Sequence, residues 1–183
     1  MTRQDIPENP PVTPRVNRIE KRQQREELIV QRAGELIAQY GFFELKMSDL
    51  AQACDISVGT LYAHFASKED LLLGLAITAG QKRARFFGHA RAHDGSAMEK
   101  FIVASLLDIR FSLEHPEWFE AEYLALAPSI WTRATPSHHQ SQLAEVGRIT
   151  EMFQSFLSAA ADELGISHDV VARTRHLNLG SWG

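Results

Sequence analysis

The stretch from Met47 to Leu73, MSDLAQACDISVGTLYAHFASKEDLLL, constrains this chain more than any other feature. A short helix fits Met47 to Cys54, with Met47, Leu50 and Ala51 turned inward. Asp55-Ile56 interrupts it, and Ser57 is a good N-cap for a following helix from Val58 to about Phe65. Two short helices at a tight turn have the geometry of a helix-turn-helix, whose second helix enters the DNA major groove with its first residues at base edges. Such a helix must be slim on its outer side, and Val58, Gly59 and Thr60 are small. Gly59 costs helix stability, about 1 kcal/mol against Ala, so its presence points to close backbone approach. Leu61 and Phe65 would hold the helix from behind, where Leu50 and Ile56 can meet them.

The remaining segments are helical by the same period. A first helix from about Arg18 places Ile29, Ala33, Leu36, Ile37 and Tyr40 on one face, and Lys21, Arg22, Arg25, Glu26 and Arg32 on the other. Gly41 follows, a common helix end. Ser67 can cap a fourth helix reaching toward His89, with Glu69 and Asp70 in a first turn that favours negative charge. Phe101, Ile102, Leu106, Ile109 and Leu113 mark a fifth helix from Gly95-Ser96 to near Pro116, and Glu117 to Ala127 forms a sixth. Pro128 to Ser137 reads as loop. A long helix from about His138 to Leu164 carries Val146, Ile149, Phe153, Phe156, Leu157 and Ala160, Gly165 ends it, and Ser167 could cap a last helix.

No strand-rich run competes with these helices, so the chain is expected to be all-α. Its 183 residues, 44% of them hydrophobic, can bury a real core. The single cysteine, Cys54, excludes an intramolecular disulfide and a multi-cysteine zinc site, and its apolar context reads as an inert thiol. No apolar stretch approaches the roughly 20 residues of a membrane span. The N-terminal MTRQDIPENPPVTPR lacks the apolar core of a signal peptide, so a cytoplasmic protein is expected. Residues 1–17, with four of the seven prolines, read as a disordered arm. Arg15, Arg18 and Arg22 could touch phosphates or the minor groove, although a loose leader is the simpler reading. The net charge of -4 looks wrong for a nucleic-acid binder until it is divided. Residues 15–90 hold eleven Lys or Arg against nine acids, whereas 91–183 hold seven against twelve. The basic excess lies at the end where a DNA surface would use it.

The run Ile56-Ser57-Val58-Gly59-Thr60-Leu61-Tyr62-Ala63-His64-Phe65, followed by Ser67-Lys68-Glu69-Asp70-Leu71, resembles the signature of the tetracycline-repressor (TetR) family. Gly41-Phe42 and Asp49-Leu50-Ala51 stand at the family's upstream positions, so the resemblance covers about residues 25–75. It implies phosphate contacts from Thr60, Tyr62 and His64, base contacts from Val58 and Gly59, and phosphate contacts at helix N-termini from Ser57 and Lys68. Lys46 and Ser48, at the start of the second helix, complete the expected DNA-binding set. Tyr62 could instead pack on the first helix, and His64 could be a solvated cap. The chain departs from the family at Lys46, where a Ser or Thr cap is usual, and at Asp55, which replaces the turn glycine but tolerates the left-handed conformation.

The resemblance implies a C-terminal half that binds a small effector and dimerises. Phe101, Leu106, Ile109, Trp118, Phe119, Tyr123, Trp131, Met152, Phe153 and Phe156 could surround an apolar pocket suited to an apolar or aromatic ligand. Ser105, Arg110, Tyr123, His138 or His139 could anchor it, and core packing explains each of these residues equally well. Adjacent histidines point about 100° apart on a helix, which argues against a metal. No cofactor is expected. Family dimers use two C-terminal helices per subunit, and this sequence ends at LNLGSWG barely past one. Either the sequence is truncated, or the interface uses the helix from about 138 to 164 with a short remnant.

The expected organisation is an N-terminal arm (1–17), a three-helix DNA-binding domain (18–78) and a helical-bundle effector-binding and dimerisation domain (79–183). The expected function is a DNA-binding regulator, a homodimer on a palindromic operator, released by a small-molecule effector. A transcriptional activator or an effector-independent member shares every motif. An all-helical enzyme is the remote alternative, since there is no HExxH, no Gly-rich phosphate loop and no ExxH pair.

Overall fold

Proline placement organises much of this chain. The first helix starts at Pro14, and prolines occupy the first turn of three later ones, where the missing N–H would have had no helical partner. The computed structural model describes residues 14–167 together with residues 169 and 172, and these form eight helices and no strand. In order they are α1 (Pro14–Tyr40), α2 (Met47–Ala53), α3 (Val58–His64), α4 (Lys68–Ala92), α5 (Ala97–Glu114), α6 (Pro116–Leu124), α7 (Pro128–Trp131) and α8 (Pro136–Glu163).

Several expected boundaries move for the same reason. Helix α1 begins within the segment read as an arm. The stretch from Pro128 to Ser137 is not a loop throughout: α7 makes one turn from Pro128, and α8 begins at Pro136. Helix α6 stops at Leu124, short of Ala127. Residues 1–13, and most of the helix expected after Ser167, lie outside the described residues.

Local chemistry sets the helix ends. Gly41, at φ 83°, closes α1 by donating to the Ile37 carbonyl at 2.7 Å. Ser57 and Ser67 cap α3 and α4, and Ser96 with Glu99 forms a capping box on α5.

Helix α4 packs on α1, α5, α6 and α8, making it the axis of the molecule. The largest hydrophobic cluster runs without interruption from Ile29, Ala33 and Ile37 of α1 through Leu50, Leu61 and Phe65 to Leu72, Leu75 and Ala79 of α4. It then continues into Phe111 and Trp118. Gly34 lets α6 approach α1: a Cβ there would lie 3.0 Å from the Trp118 ring. A second cluster joins Phe87 and Ala90 to Ala104 and Phe156, with Phe101, Met152 and Phe153 against it. The boundary expected near residue 78 therefore falls inside a continuous helix, and the core passes through it.

Helix α5 holds a correction. Its inward residues are Ala104 and Phe111, while Ile102, Leu106, Ile109 and Leu113 are 46–76% exposed. The helix is apolar over more than one face, and periodicity alone does not say which stripe meets the bundle.

Candidate nucleic-acid interface

The turn between α2 and α3 is built from backbone hydrogen bonds. Ile56 N–H donates to the Ala51 carbonyl at 3.0 Å and Asp55 N–H to Gln52 at 3.1 Å, closing the end of α2 around Asp55. This paired arrangement requires a left-handed residue, and Asp55 supplies it at φ 51°. The chain then turns directly into α3. Ser57 Oγ accepts from Thr60 N–H at 3.0 Å and shares a hydrogen bond with the Thr60 hydroxyl at 2.8 Å. Leu61 is fully buried and Phe65 nearly so, with Leu50 in the same cluster and Ile56 packed against it.

The opposite side of α3 faces outward. Val58 and Tyr62 are 42% and 45% exposed, so Tyr62 is not packed away on α1. Gly59 is exposed, and a Cβ there would meet nothing nearer than Ser57 Oγ at 3.8 Å. No contact within the fold requires glycine at this position. Lys46, Ser48 and Ser57 are also exposed, and Thr60 is half-buried. Lys46 occupies the N-cap of α2 without a side-chain cap bond, and Ser48 hydrogen-bonds Asp49 at 3.1 Å.

Two residues of the expected DNA set are engaged by the protein itself. His64 is only 12% exposed, and its Nδ1 lies 3.1 Å from Glu26 Oε1, so it braces α3 against α1 rather than capping it in solvent. Arg22 completes this brace, donating to the same Glu26 oxygen at 2.8 Å and to the Ala63 carbonyl at 3.4 Å. Lys68 Nζ donates to the Phe43 carbonyl at 3.0 Å and lies 4.7 Å from the Phe42 ring centre. Burial lowers its pKa from the ordinary lysine value, while Glu69 and Glu44 oppose that shift. Burial likewise raises the Cys54 thiol, in keeping with an unreactive cysteine.

Where α3, α4 and α8 meet, a polar staple joins them. Asp70 is fully buried, and its Oδ1 accepts from Thr135 N–H at 2.7 Å and from the Thr135 hydroxyl at 3.1 Å. His138 Nδ1 lies 2.9 Å from the same hydroxyl, and its ring is 5.7 Å from that of Phe65. Sequence reasoning missed this staple, because Asp70 and Thr135 are 65 positions apart.

A cavity of about 260 Å³ opens between α4, α6 and α8. Ala76, Phe119, Leu126, Val146 and Ile149 form its apolar wall, and Glu122, Tyr123, Gln142, Glu145 and Thr150 its polar one. Of the residues expected in a ligand pocket, only Phe119 and Tyr123 line it. Phe101, Met152, Phe153 and Phe156 belong to the second core cluster, and Trp118 to the first. Leu106 and Ile109 are exposed on α5, Arg110 pairs with Glu114 at 2.8 Å, and Ser105 bonds the Phe101 carbonyl at 2.9 Å. Trp131 donates to the Ala125 carbonyl at 2.7 Å and stacks on His139. Among the described residues, no group of three or more His, Cys, Asp or Glu could hold a metal, and no helix is long and apolar enough to cross a membrane. Gly80 lies in the cavity wall and lets Glu145 of α8 come close, since a Cβ there would lie 2.8 Å from its carboxylate.

Residues 29–75 match the family described as bacterial regulatory proteins, tetR family. Over 52 residues, 28% of this chain, the sequence is 40% identical to the uncharacterized HTH-type transcriptional regulator YuxN of Bacillus subtilis (strain 168), and the match spans 18% of that protein. The fold is similar to that of a TetR-family transcriptional regulator from Bordetella parapertussis 12822 (TM-score 0.60, 17% identity, 85% of this chain and 79% of that one). It is also similar to the TetR-family regulator PfmR from Thermus thermophilus (TM-score 0.57, 22% identity, 76% and 72%). A third similar structure is AibR in complex with isovaleryl coenzyme A and operator DNA (TM-score 0.56, 18% identity, 76% and 73%). The matched family is one of bacterial regulatory proteins, and the Bordetella and Thermus structures are transcriptional regulators.

Proposed function

We propose that the protein is a sequence-specific DNA-binding repressor released by a small-molecule effector, a reading supported by the match of residues 29–75 to the tetR family of bacterial regulatory proteins and by the fold the chain shares with TetR-family structures. The observation that carries this reading is the two-sidedness of α3. Leu61 and Phe65 are sealed into the core, while Val58, Gly59 and Tyr62 are presented outward. In this reading Val58 and Gly59 enter the major groove, Val58 against a thymine methyl. Ser57, Thr60 and Tyr62 contact flanking phosphates, with Lys46 and Ser48 at the start of α2. His64 and Lys68 contribute chiefly by fixing the pose of α3 and α4, because their polar atoms already have partners.

One α3 reads too few base pairs for specificity, so the acting species is a homodimer on a palindromic site with half-sites about one DNA turn apart. The effector occupies the cavity between α4, α6 and α8, and by binding one spacing of the two α3 helices better it draws the dimer off its operator. AibR, solved with both a small molecule and operator DNA, supports two kinds of ligand on this fold.

Selection of bound duplexes from a random pool, at moderate salt and with the dimer verified by sedimentation, tests the reading. An enriched palindrome whose affinity falls at least about tenfold in Tyr62→Ala is the expected result. A verified dimer that enriches no sequence would overturn it.

A further inference from the structure

The cavity between α4, α6 and α8 carries a negative charge that the surrounding ion pairs leave unmatched. Arg83 of α4, with a side chain 8% exposed, pairs with both Asp108 of α5 and Glu122 of α6. One guanidinium between two carboxylates leaves a net charge of one negative unit, and Glu122 is the member that lines the cavity. Among the described residues no other cation pairs with either acid. Glu145, the second carboxylate of the wall, is matched by Arg148, whose Nε donates to Oε2 at 2.9 Å.

A second, independent feature lies in the same wall. Gln142 is 2% exposed, and its buried Oε1 accepts no hydrogen bond. A native acceptor left so is uncommon and costs stability unless a donor reaches it. The rest of the wall is largely apolar, through Phe119, Leu126, Val146 and Ile149. A volume of about 260 Å³ sits at the small end of ligand pockets.

We infer that the effector is a small lipophilic monocation, a protonated amine on an apolar body, with its ammonium against Glu122, beside the Gln142 amide, and its body between Phe119, Val146 and Ile149. The inference rests on the effector reading above and assigns that ligand's chemistry. Burial pushes the Glu122 carboxyl above the ordinary carboxylate range, Arg83 opposes this, and Asp108 and Glu145 add to the rise. An ammonium would supply the compensating charge that burial denies the ionised Glu122 carboxylate.

Calorimetric titration of the full chain with 1-naphthylmethylammonium, 1-naphthylmethanol and 1-naphthoate, alongside operator binding with each, tests the assignment. The ammonium is expected to bind at least about tenfold more tightly than the alcohol, with the carboxylate weakest, and to lower operator affinity. Asp108→Asn, which does not touch the cavity, should erase the preference by leaving Arg83 and Glu122 a neutral pair. Glu122→Gln should erase it as well. Equal binding of the three probes, a preference for the alcohol or the carboxylate, or no ammonium binding at millimolar concentration would overturn the charge assignment. So would a preference unchanged in a folded Asp108→Asn. Selective ammonium binding with operator affinity unchanged keeps the charge assignment and overturns the effector reading.

Discussion

Gly59 occupies the second position of α3, where an alanine would be better for the helix and would collide with nothing in the protein. Gly59→Ala is therefore expected to raise stability by about 0.5 kcal/mol in urea denaturation while weakening operator binding, a split that a purely structural glycine would not give. Glu122 makes a different demand. Its raised pKa means that the folded chain holds this proton more tightly than the unfolded chain does, chiefly because of burial. That stabilising contribution is complete below the ordinary value of 4.5 and is lost as pH rises through the raised folded value. Denaturation at a series of pH values from about 4.5 upward should show the wild type losing stability that Glu122→Gln, unable to ionise, retains. At this scale the sequence was legible at caps and turns, whose chemistry is local. Ser57, Ser67 and Asp55 act on atoms within three residues of themselves. His64 was not legible in this way, because its partner Glu26 is 38 positions away.

Helices add their own constraint at the seam between α3 and α4. A Cβ on Gly74 would lie 2.8 Å from Cε1 of Phe65 and 3.6 Å from Val30, so α4 presses on the ring that holds α3 in place. Gly74→Ala should cost about 1–2 kcal/mol, overpacking outweighing the gain in helix propensity. Adding Phe65→Leu should restore part of that loss in the same denaturation assay, since the smaller side chain makes room. Periodicity showed every helix but α7, and Gly41, Ser57 and Ser67 marked their ends, whereas the ends at prolines were not readable. Pro128 and Pro136 look like breakers in sequence, yet a proline that stops one helix is equally suited to start the next. The stripe Ile102, Leu106, Ile109 and Leu113 has helical spacing, and it marked the wrong face of α5 because Ala104 and Phe111 lie on another. The cavity was illegible for a related reason, as it depends on how α4, α6 and α8 are rotated against one another.

The whole molecule is tied together by α4 and by the Asp70 staple to the start of α8. Asp70→Ala would leave the Thr135 N–H without its acceptor and is expected to lower stability by about 2 kcal/mol. Thermal melting followed by circular dichroism checks this, and an unchanged midpoint would show the staple to be idle. The uninterrupted cluster from Ile29 to Trp118 has a wider implication. Cutting the polypeptide within α4 would strip Trp118 and Phe111 from the residues they cover, so the end that carries α2 and α3 is not a detachable head on a flexible neck. Unfolding should then proceed as one cooperative event. In the proposed reading, a ligand bound between α4, α6 and α8 would then act on the operator as a tilt of one stiff body, since the shared core leaves no joint among the described residues of α4.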